Sequence, residues 1–223
     1  ANSVVANPDF ERIRESGFSR YYYELFPRTL ERYPHHANSF SLWKEGIRKG
    51  VFYPQFHGRE HFNAGQWIQA LQEKNKDILL AFELGMAGIF PKENPSEGNK
   101  YMVALDHASE EERDKQIEIL REGLKIFAEL WGHGSRSFIA PCYVWDKAVE
   151  PALKESGVDY IQGGLFQHLP LTSVNKRKNK FHYTGQRNEL GQIYTIRNCS
   201  FEPASSGIDW IDFCLDQIKT AFR

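Results

Sequence analysis

The sequence predicts an α/β protein with a parallel sheet, because amphipathic helices alternate with short apolar segments. Glycines separate the two kinds of segment, and Gly132 and Gly157 each follow a predicted helix. The alternation is clearest in the middle of the chain. Four elements are predicted there in order: helix 109–131, strand 137–144, helix 146–156 and strand 158–164. No repeat or linker interrupts the 223 residues, so we expect one domain over 1–223.

The helix predicted over 109–131 has the strongest local signals. Ser109 followed by Glu112 makes a capping box, and acidic residues fill the first turn. Apolar residues recur at helical spacing along one face, at Ile117, Leu120, Leu124, Phe127 and Trp131.

The rest of the chain follows the same alternation. Further helices are predicted over 39–49, 64–74 and 208–223, and further strands over 50–56, 77–84 and 192–201. The sequence between 164 and 191 has no regular apolar pattern, which indicates an insert or long loop over one end of the sheet.

Composition excludes several classes of protein. Hydrophobic content of 41% and charged content of 26% are typical of a globular protein, and the formal net charge of -1 does not favour nucleic acid. The basic run 175–180 indicates a solvated loop. No apolar stretch is long enough for a membrane span, and the N-terminal segment lacks the pattern of a signal peptide. We therefore expect no nucleic-acid or membrane partner and a cytoplasmic location, with a signal upstream of residue 1 left open.

The cysteines do not indicate a disulfide framework or a thiolate zinc site. Cys142, Cys199 and Cys214 are odd in number and widely spaced, with no C-x-x-C pair. We expect three reduced thiols. Aromatic residues make up 14% of the chain, which favours a core rich in large rings and is also compatible with a groove that stacks on sugars.

His57 and His61 are the candidate metal ligands. They lie four residues apart, where a predicted strand gives way to a predicted helix, and Gly58 allows a tight turn between them. Strand ends of parallel α/β folds are where ligands bind, and two imidazoles at this spacing can share one Zn²⁺. A third ligand, usually Asp, Glu or His, must come from elsewhere in the protein.

Two metal chemistries fit this stretch. Read as H-x-x-E-H, it matches the inverted zinc-peptidase motif, in which Glu60 would be the general base. That motif lies inside a helix, whereas an extended segment precedes His57 here and Gly58 weakens a helix. Read as H-x-x-x-H, it needs only the two histidines and takes its base from an Asp elsewhere.

Three segments together resemble the polysaccharide deacetylase (NodB-homology) superfamily, and a divergent bacterial branch of it in particular. They are "FYPQFHGREHFNAGQWIQALQ", "SFIAPCYVWDKAVEPALKESGVDYIQGG" and "RNCSFEP", and the resemblance extends over nearly all of the chain. It implies a distorted (β/α)7-type barrel and a divalent metal, expected to be zinc, held by one Asp and two His. It also implies hydrolysis of an acetamide or ester by metal-activated water.

The resemblance assigns roles to further residues. His57 and His61 match the family's metal histidines, and "APCY" matches its groove-lining motif. Tyr143 would line the acyl pocket, and its backbone N–H would stabilise the oxyanion. The resemblance also places Pro141, Trp145 and Asp146 on the substrate side of the same loop, with Trp145 as either a sugar platform or core packing.

The chain departs from the family pattern at both ends. The Asp-Asp motif, which supplies the base and the third metal ligand, would precede residue 1, and the late His motif would follow Arg223. The usual Arg before the Pro-Tyr is replaced by Ile139 or Ala140. We therefore expect a barrel incomplete at both ends of this segment. Asp106 beside His107 is the internal candidate for the third ligand.

The function predicted from these residues is removal of acetyl groups from an acetylated sugar or polysaccharide. The alternatives are the zinc peptidase that uses Glu60 and a non-catalytic carbohydrate-binding protein on a degenerate barrel. The oligomeric state is left open. For several further residues a structural role is at least as well supported as a role in the site. They are Glu83, His35, His36, His168, His182 and an Arg197–Glu202 pair.

Overall fold

Five short parallel strands form the central sheet of this protein. A computed structural model describes residues 1–88, 100–170, 177–201, 203 and 207–222. The sheet contains β1 (Asn2–Ser3), β4 (Gln55–Phe56), β5 (Ser137–Ile139), β6 (Tyr160–Gly163) and β9 (Ile193–Ile196), paired in that order and parallel throughout. The predicted α/β class with a parallel sheet is confirmed. All five carboxyl ends therefore meet at one edge of the sheet.

Four more strands form two small antiparallel pairs. β2 (Ala6–Pro8) pairs with β3 (Tyr23–Leu25), and β7 (Phe166–His168) pairs with β8 (Asn179–Phe181). The second pair lies within the predicted insert 164–191, of which residues 171–176 are outside the described part of the chain. The insert is thus partly a β-ribbon.

Helices connect and cover the strands. The described helices are α1 (Phe10–Glu15), α2 (Phe26–Glu31), α3 (Ser39–Arg48), α4 (Ala64–Gln72), α5 (Lys76–Glu83), α6 (Glu110–Trp131), α7 (Glu150–Glu155) and α8 (Trp210–Ala221). None of the helices in the described ranges is long and apolar enough to cross a membrane. The three cysteines are free, as expected.

The prediction for α6 is confirmed together with its end signals. Ser109 Oγ accepts a hydrogen bond from the Glu112 N–H at 3.2 Å, and the Glu112 carboxylate accepts from the Ala108 N–H at 2.8 Å. Gly132 ends the helix in the left-handed region, at φ 77°. Local sequence alone accounts for both boundaries of this helix.

The strand predicted over 77–84 is wrong, because this segment is helix α5. Asn75 caps it, since its Oδ1 accepts from the N–H groups of Asp77 and Ile78 at 3.1 and 3.2 Å. Ile78, Ala81 and Phe82 are the buried residues, and their spacing is that of a helix face. A short apolar run does not distinguish strand from helix by itself, and the cap decides between them here.

The predicted strand 137–144 is shorter than expected. It ends at Ile139, because Pro141 begins a 3₁₀ helix over Pro141–Tyr143. The predicted helix 146–156 is likewise divided into a 3₁₀ turn over Lys147–Val149 and α7.

The core that supports the sheet's carboxyl edge is aromatic. The Phe56 ring lies 5.9 Å from both the Phe127 and Phe138 rings, measured between centroids. Helix α6 approaches β4 closely at Gly123, where a Cβ atom would lie 2.9 Å from atoms of Phe56 and Arg59. The absence of a side chain at Gly123 therefore fixes the position of the segment that carries the two histidines.

Candidate functional site

His57 and His61 lie side by side at the carboxyl edge of the sheet. His57 directly follows β4, and its N–H donates to the Ser3 carbonyl at 2.9 Å. The two imidazole centroids are 4.9 Å apart. Gly58 makes this possible with φ 124°, and a Cβ there would lie 2.7 Å from the Glu60 carbonyl oxygen. This geometry is consistent with the prediction that His57 and His61 lie together at a strand end.

The segment between β4 and α4 is a loop held from both sides. The Arg59 carbonyl accepts from the N–H groups of Val5 and Ala6 at 3.1 and 2.8 Å. Asn63 caps α4 through the Gln66 N–H at 3.1 Å and donates from Nδ2 to the Asp106 carbonyl at 2.7 Å. The histidines therefore lie on a non-helical loop whose two ends are fixed by backbone contacts.

Hydrogen bonding assigns the tautomer of His57. Its Nδ1 lies 2.7 Å from the Ile139 carbonyl oxygen, which can only accept, so Nδ1 carries the proton. Nε2 is then the nitrogen with a free lone pair. A backbone carbonyl behind one ring nitrogen is the usual support of a metal-binding histidine.

Both imidazoles are suited to the neutral, metal-binding form. Burial lowers the pKa of His57, the Ile139 carbonyl opposes this, and the positive charges of His61 and Arg197 lower it further. Burial also lowers the pKa of His61, against the opposing effect of its own carbonyl and that of Met102. The Nδ1 atom of His61 is buried and has no hydrogen-bond partner among the described residues. Two neutral imidazoles with available nitrogens fit half of a zinc site.

The described part of the chain does not gather a third ligand around the pair. No group of three or more His, Cys, Asp or Glu side chains there is arranged to hold a metal. The Asp106 carboxylate is bound by Arg177 through two hydrogen bonds of 2.9 and 2.7 Å. His107 Nε2 lies 3.8 Å from Asp146. The structure thus places Asp106, the internal candidate for the third ligand, in an ion pair instead.

Glu60 is held in a buried network on the other side of the loop. The Arg59 Nε donates to both Glu60 carboxylate oxygens, at 2.8 and 2.9 Å, and the Tyr21 hydroxyl donates to Oε1 at 3.1 Å. Arg59 Nη1 also donates to Glu122 at 2.5 Å. Burial raises the pKa of Glu60, and the charge and hydrogen bonds of Arg59 oppose that rise. These contacts give Glu60 a structural role, because they hold it against Arg59, which ties the loop to α6 through Glu122.

The groove-lining segment after β5 has an unusual backbone. Cys142 and Tyr143 are consecutive non-glycine residues in the left-handed region, at φ 54° and 58°. This turn directs the Tyr143 N–H to the Ala140 carbonyl, at 3.0 Å. The Tyr143 N–H is thus donated within its own turn, and its expected role in stabilising an oxyanion stays a prediction.

Trp145 belongs to the core and is no exposed sugar platform. Its side chain is 1% exposed, and its ring atoms lie 3.6 Å from where a Cβ of Gly163 would be. Pro141 is also buried. Asp146 caps the following 3₁₀ turn, accepting from the Ala148 N–H at 2.6 Å. Of the predicted substrate-side residues, Tyr143 and Asp146 are the ones with partly exposed side chains.

The remaining residues singled out in the sequence have structural partners or lie at the surface. Glu83 is on helix α5 and pairs with Arg14 at 2.9 Å. His168 bonds Asn179 at 2.8 Å, and His182 is fully buried against Tyr194, with ring centroids 3.9 Å apart. His35 and His36 are exposed. The proposed Arg197–Glu202 pair cannot be placed, because Glu202 is outside the described residues.

Sequence reasoning missed the contacts that orient the histidine loop. Tyr21 and Glu122 reach this loop from segments 39 and 63 residues away in the chain. No local pattern marks either residue as part of the site. Their role follows only from the packing of α6 and of the segment before β3 against the loop.

Comparisons of the chain with protein-family models, with curated proteins and with solved structures found no match. The geometry of the histidine pair and its surroundings is therefore the structural basis for a function.

Proposed function

We propose that this protein is a metal-dependent hydrolase that removes acetyl groups from a carbohydrate. The observation that carries the proposal is the histidine pair at the end of β4, with ring centroids 4.9 Å apart. The resemblance of the surrounding segments to polysaccharide deacetylases supports this choice of reaction. The partly exposed Tyr143, which follows β5 at the same edge of the sheet, supports a binding groove for a ring-shaped ligand.

His57 and His61 would hold the ion, for which zinc is the best match to neutral imidazole donors. When bound, such an ion lowers the pKa of a water molecule and polarises the acyl oxygen. The chain's own contribution is positional. The Ile139 carbonyl orients the His57 ring, and burial lowers the pKa of both imidazoles, which favours their unprotonated form. We infer that an Asp carboxylate completes the ligand set, as the resemblance implies.

We also infer that the sheet is part of a distorted (β/α)7-type barrel. Its five strands are all parallel, which is the arrangement of such barrels. β1 and β9 each have one neighbour among the described strands, so closure would require further strands between them. The location of the histidine pair at the carboxyl edge supports this inference, because active sites of α/β barrels lie there.

Acetate release tests the proposed reaction directly. The full-length protein is incubated with N-acetylated and O-acetylated oligosaccharides, before and after treatment with a chelator. We expect acetate release that the chelator abolishes and added Zn²⁺ restores. Sugar binding without acetate release, and without an effect of the chelator, would instead indicate a carbohydrate-binding protein.

Glu60→Gln separates a deacetylase from an inverted-motif zinc peptidase. Loss of a general base costs about 10²- to 10⁴-fold in rate, so a peptidase using Glu60 would lose its activity. We expect acetate release to persist in this variant, because Glu60 contacts Arg59 and Tyr21. The assay is run at a temperature where circular dichroism shows both proteins to be folded. A loss of acetate release of about 10²- to 10⁴-fold would instead mean that Glu60 acts in the reaction.

A further inference from the structure

Arg197 lies at the same edge of the sheet as the histidine pair. It directly follows β9, and its N–H donates to the Gly163 carbonyl at 2.9 Å. The guanidinium carbon is 5.8 Å from the centroid of the Tyr143 ring. It is also near enough to His57 for its positive charge to act on that imidazole. A cation thus lies near His57 and beside the ring of Tyr143.

The charge of Arg197 is not neutralised by the protein residues that the structure describes. The other two arginines near the histidine loop are paired: Arg59 with Glu60 and Glu122, and Arg177 with Asp106. Arg197 is exposed and has no ion-pair partner within the described ranges. A guanidinium stays protonated in proteins, and no acidic residue in the described ranges competes with a ligand for this charge.

The chemistry of a guanidinium indicates which ligand it would select. Its planar set of donors matches a carboxylate through two parallel hydrogen bonds, and it is more weakly hydrated than an ammonium group. A carbohydrate bound with its acetyl group at the histidine pair would extend along the edge that carries Tyr143 and Arg197. A neutral sugar leaves the charge of Arg197 in solvent, whereas an acidic sugar offers it a partner.

We propose that Arg197 selects acetylated sugars that carry a carboxylate, such as acetylated uronic acids, by forming an ion pair with that carboxylate. This inference rests on the proposed function, because it takes the histidine pair as the place where the acetyl group binds. Arg197 acts in substrate recognition and takes no part in proton transfer.

The test compares two substrates that differ only in charge. They are an O-acetylated glucuronic acid oligosaccharide and its acetylated, carboxyl-reduced counterpart. We expect kcat/KM to favour the acidic substrate by about tenfold or more, the size of one charge-assisted hydrogen-bonded pair. The preference should fall as salt is added. Calorimetry with the deacetylated forms of both sugars gives a binding readout that does not depend on activity.

Matched variants assign the preference to Arg197. Arg197→Gln is expected to remove it by raising KM for the acidic substrate, so that kcat/KM becomes equal for the two sugars. Arg197→Lys should retain part of it, and Arg48→Gln, which removes an exposed arginine on helix α3, should retain all of it.

Three outcomes overturn the proposal, and a fourth separates it from the proposed function. Equal hydrolysis of both sugars by the wild type, or an equal loss for both in Arg197→Gln, would remove Arg197 from recognition. Absence of both hydrolysis and charge-dependent binding would do the same. Charge-dependent binding that Arg197→Gln abolishes, without hydrolysis of either sugar, would instead refute the hydrolase and leave the carboxylate site.

Discussion

His57→Ala and His61→Ala are each expected to lower the affinity of the full-length protein for Zn²⁺ by more than about 100-fold, because loss of an outer hydrogen-bond partner alone costs 10- to 100-fold. The two imidazole centroids lie 4.9 Å apart, so both rings are expected to bind one ion, and each substitution removes one of its ligands. Metal content after dialysis and zinc titration by calorimetry measure the effect. Acetate release should fall with metal content in both variants.

His168→Ala is the matched control for the histidine variants. This histidine bonds the Asn179 side chain on the β7–β8 ribbon, so its loss should leave zinc affinity unchanged. The metal assignment would be wrong if His57→Ala and His61→Ala kept full zinc occupancy. It would also be wrong if all three variants lost the metal equally.

Arg59→Met is expected to lower the free energy of unfolding by about 3–5 kcal/mol at pH 8, because breaking a buried ion pair leaves its partner uncompensated. The side chains of Arg59 and Glu60 are 7% and 2% exposed. Arg14→Met is the control, because it breaks the exposed Arg14–Glu83 pair, which contributes about 0–1 kcal/mol. Urea denaturation of both variants at the same pH gives the comparison.

The cost of Arg59→Met should depend on pH in a defined direction. Burial raises the pKa of Glu60 above its ordinary 4.5, and removing Arg59 removes the main opposing effect. A carboxyl group whose pKa is raised in the folded state does not destabilise the fold when the pH is below its unfolded pKa. Its charge destabilises the fold as the pH rises through the folded-state pKa. The loss should therefore be smaller at pH 5 than at pH 8.

The double variant Arg59→Met/Glu60→Gln tests the origin of this pH dependence. It removes the buried charge along with its partner, so it should recover much of the stability lost in Arg59→Met and change less between the two pH values than Arg59→Met does. A single variant with the same loss at pH 5 and pH 8 would mean that the ionisation of Glu60 is not the cause. The stability effect would then lie in the packing of the arginine side chain.

Local sequence determined the elements whose signals are contained within a few residues. Helix α6 has a cap, an apolar face at helical spacing and a terminal glycine, all within its own segment. The apolar run 77–84 has no such periodic contrast with its surroundings, and the Asn75 cap marks it as helix. The other predicted strands lie within their predicted ranges but are shorter, and β5 ends at Ile139 because Pro141 begins a 3₁₀ turn.

The candidate site likewise has features set by local sequence and features set by long-range contacts. The spacing of His57 and His61 after a strand, with Gly58 between them, is a local property, and so the sequence by itself identified the pair. Whether another candidate side chain is free to bind a metal or a substrate depends on its contacts with residues distant in the chain. Glu60 meets Tyr21, Asp106 meets Arg177, and Trp145 lies in the core beside Gly163.

The sequence by itself therefore determined the α/β class, the long helix and the two candidate metal ligands. Only the tertiary structure decided that Glu60 and Asp106 are held in ion pairs and that Arg197 stands unpaired beside Tyr143 among the described residues. The physical reason is that helix caps and periodic faces arise from neighbours within one or two turns. Burial and the pairing of charges arise from segments that meet only when the chain has folded.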